Sequence, residues 1–426
     1  MDSHQSDRRR FLKTAAAGVA AGAAGFGAGA QWSAKAQSAE RPEGGQAAAA
    51  SEEVGHVHRV PPRRGARYSL DHLTHYTPLQ DYSGIITPAP VHFVQQHSME
   101  FPQIDAAEHR LTIHGMVDRP LSFTMDDLKR LPSVTRIHFV ECHGNSSPNV
   151  HGSTDPKMGM PVQFIHGMAS TSEWTGVPMS VLLNEAGIKK GGTWLVSEGA
   201  DQGKFSHTLP VGKALDDCFV AYGQNGEPLR VEQGFPIRLL VPGWEGPFNV
   251  KYLRHIKVVD EPYNTWNESM NHSVSRPDLG GKARWYHFQW AAKSVITRPS
   301  AGMEMRKGYV QITGLAWSGA GSVKKVEVST DGGKNWREAR LDGPVVPKAH
   351  TRFNYDWEWN GQEAMLMSRC IDETGDVQPS LAELSSHWQI PITDWQKPEK
   401  PRAIHMNAIQ PWKIARDGSI SDALFA

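Results

Sequence analysis

Cysteine is scarce: Cys142, Cys218 and Cys370 are the only three in 426 residues. Three thiols cannot staple a chain of this length, so a disulfide framework is excluded and an ordinary buried core is expected. No Cys-x-x-Cys-His run occurs, which leaves no attachment point for a c-type haem in this chain. Neither sign of charge is in excess, since 45 Lys and Arg offset 45 Asp and Glu. That balance argues against nucleic acid or an acidic membrane surface as partner. There is no internal repeat, and no apolar run makes a good membrane span. The nearest approach, Thr14 to Ala30, is mostly Ala and Gly.

That weak run sits inside an ordered succession. Asp7-Arg8-Arg9-Arg10-Phe11-Leu12-Lys13 precedes it and the small-residue site Ala34-Lys35-Ala36 follows. The three parts predict a twin-arginine export signal over 1–36 and a periplasmic protein that folds around its cofactor before export. Only Asp7 departs from the pattern, standing where Ser or Thr is common; a basic disordered leader is the plainer alternative. Residues 37–65 are rich in Ala, Gly, Glu, Pro and Arg and lack apolar periodicity, as in a linker or arm. His56 and His58 there read as solvated residues rather than metal ligands.

The most informative stretch is Ile137-His138-Phe139-Val140-Glu141-Cys142-His143-Gly144-Asn145-Ser146-Ser147. Its first half has the β-branched and aromatic character of a strand, and its second half is turn chemistry. Cys142 therefore stands where a strand opens into a loop, where a thiolate would suit a soft or high-valent metal. A buried structural cysteine is the bland alternative, and Cys218 and Cys370, in apolar runs, take that reading. Further along, Thr124 and Asp127 form a capping-box pattern ahead of a short helix. Met179, Leu182, Leu183 and Ala186 repeat at helical spacing and Gly187 closes the run. Arg238 and Lys251 are cations beside an apolar strand and a glycine-rich loop, a setting that suits a phosphate or a structural Arg–carboxylate pair. From Thr297 onward the pattern changes to short alternating segments, with Val310 and Ile312, Val326 and Val328, and the stripe Phe353, Tyr355, Trp357 and Trp359 at period two. These predict a small β-sandwich.

Cys142-His143-Gly144-Asn145 resembles the Cys-Ala-Gly-Asn segment of the sulfite oxidase family. The resemblance runs in the family's order from roughly residue 66 to 395. It takes in His92-Phe93-Val94-Gln95-Gln96-His97, Glu173-Trp174-Thr175-Gly176-Val177-Pro178, Ala221 to Leu229, and Gly234 to Trp244 ending in Asn249-Val250-Lys251-Tyr252-Leu253. Gly314-Leu315-Ala316-Trp317-Ser318-Gly319 and Val328 to Gly333 are similar to the family's immunoglobulin-like dimerisation domain. The resemblance implies an α+β protein with a sulfite-oxidase-type molybdopterin domain over 66–295, an immunoglobulin-like β-sandwich over 296–400 and a tail over 401–426. It implies a molybdenum–molybdopterin cofactor with Cys142 as metal ligand. Gln96, His97, Asp201, Gln233, Arg238, Asn249, Val250 and Lys251 are the implied cofactor contacts. Gln233 stands where the family has histidine and Gln96 where asparagine is usual. Gln95, Ser147, Asn271 and Arg352 are the implied substrate-pocket positions.

Two of those positions separate this chain from a plain sulfite oxidase. Gln95 and Ser147 stand where the family places arginines that grip the sulfite dianion, and losing them removes bidentate anion recognition. The pattern resembles the sulfane-oxidising branch of the family, in which sulfur arrives on a carrier protein and a c-type cytochrome subunit accepts the electrons. That implies a homodimer of this chain within a heterotetramer. Sulfite oxidation or sulfoxide reduction is the alternative chemistry. A cofactor-free periplasmic binding protein is the alternative of another class, since fold resemblance alone does not establish activity.

Overall fold

The computed structural model describes residues 74–425, apart from 99, 149–150, 152–160, 276–278, 282–283 and 396–404. The expected export signal and the arm with His56 and His58 lie outside the described residues. Everything described belongs to one compact unit, Val57–Ala426.

In chain order, the elements that build the first half are β1 (Leu111–Gly115), β2 (Leu121–Phe123), α1 (Met125–Arg130), β3 (Val134–Glu141), β4 (Ala169–Pro178), α2 (Met179–Ala186), β5 (Trp194–Gly199), β6 (Ser206–Pro210), β7 (Phe219–Gln224), β8 (Arg238–Leu240), β9 (Leu253–Val259) and α3 (Trp266–Met270). They make two sheets. One has the order β2-β1-β9-β5-β6, with β1 and β9 parallel and the other pairs antiparallel. The other runs Glu227–Pro228, β7, β4, β3, with β8 also on β7. Local rules set the boundaries. Thr124 Oγ1 accepts from Asp127 N at 3.0 Å while Thr124 N donates to Asp127 Oδ2 at 2.9 Å, the reciprocal box that starts α1. Met179, Leu182, Leu183 and Ala186 form the buried stripe of α2, and Gly187 ends it at φ +71. The last four residues of β3 are buried without alternation, so this end of the strand is covered on both faces.

The second half is a sandwich, as the alternation predicts. β10 (Lys293–Arg298), β11 (Gly308–Trp317) and β13 (Thr351–Trp359) build one sheet; β12 (Val323–Ser329), β14 (Ala364–Asp372), β15 (Trp412–Ile414) and β16 (Ile420–Asp422) build the other. Phe353 and Trp359 are buried in its core, and Tyr355 and Trp357 pack against that core. Cys218 and Cys370 are core residues as expected. The tail reading needs correction. Residues 405–425 are built into the fold: β15 pairs with β14 and β16 with β15, and Trp412 is fully buried. Strands of three residues carry too little alternation to be seen in a sequence. One apolar cluster joins Phe139, Val162 and Ile165 of the first half to Trp317, Phe353 and Trp412 of the second. No helix among the described residues is long and apolar enough to cross a membrane.

Candidate active site

Four strand ends meet at one cleft. Cys142 follows β3, and its N–H donates to Met168 O at 2.9 Å, continuing the β3–β4 ladder by one step. Asp201 follows β5 and Lys251 precedes β9. These strands are antiparallel neighbours, Leu253 opposite Gly199, so the two loops must lie side by side. Ala200 N donates to Tyr252 O at 2.8 Å across them. Arg238 opens β8 and completes the wall. Gly246 lies against the thiol's backbone. A Cβ there would stand 2.7 Å from Glu141 O and 2.9 Å from Cys142 Cα, so only glycine lets the two loops approach this closely.

The cleft is lined by Cys142, Gln95, Gln96, His97 and Asp201 together with Gln233, Arg238, Asn249 and Lys251. Cys142 is half-buried. Burial pushes its thiol up to about 11, and the nearby Glu141 and Glu245 charges add to that. The sulfur therefore stays protonated near neutrality until a cation replaces the proton.

Two cations share this space, and among the described residues neither has a carboxylate partner. Arg238 is only 4 % exposed. Its guanidinium donates to Gln233 O at 3.1 Å and Asn249 O at 3.2 Å, and its Nε has no partner. Burial lowers it to about 10. Lys251 Nζ donates to Gln96 Oε1 at 2.9 Å, Gln95 O at 3.0 Å and Glu232 O at 3.1 Å. Burial, and then Arg238, lowers this ammonium to about 7. Buried charge is costly unless paired, so a site with an orphaned N–H and two uncompensated cations fits an anionic ligand. Together with a thiol facing the same cleft, the donor set fits a metal-bearing cofactor with a phosphate arm.

Other expected contacts are already engaged within the chain. Asp201 accepts from Ser98 Oγ at 2.7 Å and Phe205 N at 3.0 Å, which folds the loop beneath the cleft. Asn249 accepts from Val241 N at 2.8 Å and donates to Glu245 O at 3.2 Å. Gln233 Nε2 donates to Phe93 O at 2.9 Å.

Four expected residues do not come to the cleft wall. Val250 is a core side chain, 1 % exposed, whose carbonyl serves Leu239 N at 2.9 Å. Ser147 lies past the turn, its N–H donating to Gly144 O at 3.3 Å, and does not line the cleft. Asn271 is exposed because it caps α3, with its N–H on Asn267 O at 2.9 Å. Arg352 is held in the sandwich: it donates to Gly84 O at 2.9 Å and Thr313 Oγ1 at 3.3 Å and lies over Tyr82. Its guanidinium ties β13 to an earlier loop and does not line the cleft.

The residue beside Asn271 takes the wall position. His272 lines the cleft, edge-on to His97 and His143, while His97 stacks on Phe205 at 4.6 Å. Nothing periodic marks His272 in the sequence; its place follows from the turn after α3. Behind it Glu245 gathers His143, His287 and His405. Ala291 N donates to His405 Nε2 at 3.3 Å, so the His405 proton sits on Nδ1 and is given to Glu245. That tautomer makes the group a hydrogen-bonded buttress rather than a ligand set.

Comparison with known proteins is consistent with this geometry. The family model described as oxidoreductase molybdopterin binding domain matches residues 98–267, and that described as Mo-co oxidoreductase dimerisation domain matches 285–391. Sulfite oxidase of Gallus gallus is 30% identical over 336 residues, covering 73% of this chain and 72% of that protein. An NADH nitrate reductase of Ulva prolifera is 30% identical over 339 residues, 70% of this chain and 38% of its own length. Among solved structures, the sulfane dehydrogenase SoxCD from Paracoccus pantotrophus matches with a TM-score of 0.77 and 38% identity, covering 86% of this chain and 90% of that chain. The chain spans between 38% and 57% of the length of the first curated relatives it matches.

Proposed function

The chain belongs to the sulfite oxidase family of molybdopterin oxidoreductases, and from that premise we propose that it is a periplasmic molybdenum enzyme oxidising a sulfane sulfur borne by a carrier protein. The observation that carries the proposal is the pairing of the Cys142 thiol with two cations, buried Arg238 and part-buried Lys251, that lack a carboxylate partner among the described residues. Molybdenum held by a pterin dithiolene supplies two-electron oxidation at sulfur when bound. Cys142 would give up its proton and ligate the metal. Arg238 Nε and the Lys251 ammonium would hold the phosphate, as charged donors on an oxyanion do. Gln96, Gln233 and His97 would meet the pterin, and the neutral amides suit its polar edge.

The substrate side supports sulfane over free sulfite. Among the described residues lining the cleft, Arg238 is the single guanidinium; Gln95, Phe205 and His272 share the lining. Such a wall offers room and neutral donors, which serve a sulfur delivered on a protein arm better than a free dianion. The similarity to the sulfane dehydrogenase structure agrees. Electrons would leave to a c-type cytochrome subunit, and the sandwich would pair two copies of this chain within a heterotetramer. Sulfite stays as a second reading because sulfite oxidases are among the relatives. The test is kcat/KM for sulfite and for carrier-bound sulfane, with the native cytochrome as acceptor. Preference for the carrier is expected; efficient sulfite oxidation with no carrier activity would contradict the assignment.

A further inference from the structure

Glu141, the residue before Cys142, is wholly buried. Its Oε1 accepts from Lys293 Nζ at 2.6 Å and from Asn145 Nδ2 at 2.8 Å, and its Oε2 accepts from Trp317 Nε1 at 2.7 Å. Lys293 and Trp317 belong to β10 and β11 of the sandwich, not to the sheets that form the cleft. Lys293 is 1 % exposed and also donates to Ser146 Oγ at 2.8 Å. Because Gln410 Oε1 can only accept, the neutral His166 ring carries its proton on Nε2, and its Nδ1 accepts from the Ser146 hydroxyl at 2.6 Å. His166 Nε2 then donates to Gln410 Oε1 at 3.2 Å. One ammonium thus grips the thiol loop at both ends, before Cys142 and after it.

The loop needs such a grip. Ser146 sits at φ +62, a left-handed conformation that a non-glycine residue keeps only when its surroundings over-determine it. Stability does not account for the pair, since a buried ion pair can often be replaced by apolar residues without loss. What apolar residues could not do is fix Asn145 and Ser146 in a single geometry beside the thiol. We propose that Lys293 is a positioning residue, holding the Cys142 loop from the sandwich and making the sandwich part of the active site. The proposal rests on the reading of Cys142 as the metal ligand.

The test uses the cofactor-free full chain, so its failure is separate from any failure of the molybdenum reading. Hydrogen exchange of amides 142–147 and the rate of iodoacetamide labelling at Cys142 are compared in wild type, Lys293→Met, Trp317→Phe and Ser294→Ala. Ser294 is the control: its hydroxyl bonds Ser368 and Gln378 inside the sandwich, away from Glu141. Lys293→Met should speed exchange over 142–147 about tenfold more than it speeds exchange at Val326 and Cys370, whose amides report the general loss of stability, and should accelerate labelling. If Lys293→Met does not fold, Trp317→Phe carries the test, with exchange about threefold faster in the same segment. Unchanged exchange at 142–147 in the folded variant would overturn the proposal. So would an equal effect from Ser294→Ala, because that would mean general loosening of the sandwich.

Discussion

The buried cations around Cys142 are built in opposite ways. On the sandwich side, Lys293 meets a carboxylate at 2.6 Å, and both oxygens of that carboxylate are satisfied. On the cleft side, Arg238 and Lys251 reach only neutral oxygens, and Arg238 Nε reaches none. A closed pair and an open pair in one protein serve different ends. The closed pair fixes a loop, whereas the open pair keeps charge available for a ligand the chain does not itself supply. The difference separates a structural ion pair from a binding site without reference to any relative.

Cys142→Ser should have the largest effect, because it removes the soft ligand itself. Turnover should fall by more than about 100-fold, the upper loss seen when only a supporting residue is removed, while pterin content is largely kept. Wild-type turnover in the purified variant would exclude Cys142 as ligand. Next in size is a contrast in stability of the cofactor-free chain. Lys293→Met strands a buried carboxylate and should cost about 3–5 kcal/mol. Lys251→Met removes a charge that burial already disfavours and should change stability by about 1 kcal/mol or less. Denaturant midpoints measure both, and equal losses would dissolve the distinction between closed and open pairs.

Cofactor retention sharpens the same contrast from the other side. Arg238→Ala and Lys251→Ala should each weaken cofactor binding about tenfold or more, since charged hydrogen bonds contribute roughly 1.5–3 kcal/mol. Full pterin occupancy in both, measured after purification, would remove the phosphate role.

The smallest effect is one of pH. Burial and Arg238 hold Lys251 at about 7 in the open cleft, and a bound dianion raises it again, so binding takes up a proton above that pH. Affinity for a phosphate monoester should be greatest near pH 6 to 7, where the ammonium is charged and the monoester (second pKa about 6) is largely dianionic. It should fall by up to about tenfold per unit as the pH rises further. Lys251→Arg should flatten the profile in calorimetric titrations; an unchanged slope would assign the proton to another group.

Much of this was legible in the sequence, and the parts that were not share a cause. Cys142, Arg238 and Lys251 could be read because each is a chemically active residue breaking an apolar strand or opening a loop, a local signal. The α1 cap and the α2 stripe are local in the same sense. Asn271 was one residue from the correct wall position; the turn after α3 sends Asn271 to solvent and His272 inward. Arg352 has the right chemistry, but whether it points to the cleft or to Gly84 is decided only by how β13 meets a loop 268 residues earlier. Glu141 and Lys293 are 152 residues apart, and no spacing rule joins them. β15 and β16 hide because strands that short become strands only by pairing with a neighbour.

The central claim is that the open cations and the Cys142 thiol together hold a molybdenum cofactor. Metal analysis of the purified protein, with X-ray absorption at the molybdenum edge, tests it most directly. The account predicts a molybdenum atom for every chain, with one sulfur ligand lost in Cys142→Ser. A purified, folded protein without molybdenum, or a metal environment unchanged by that substitution, would contradict it.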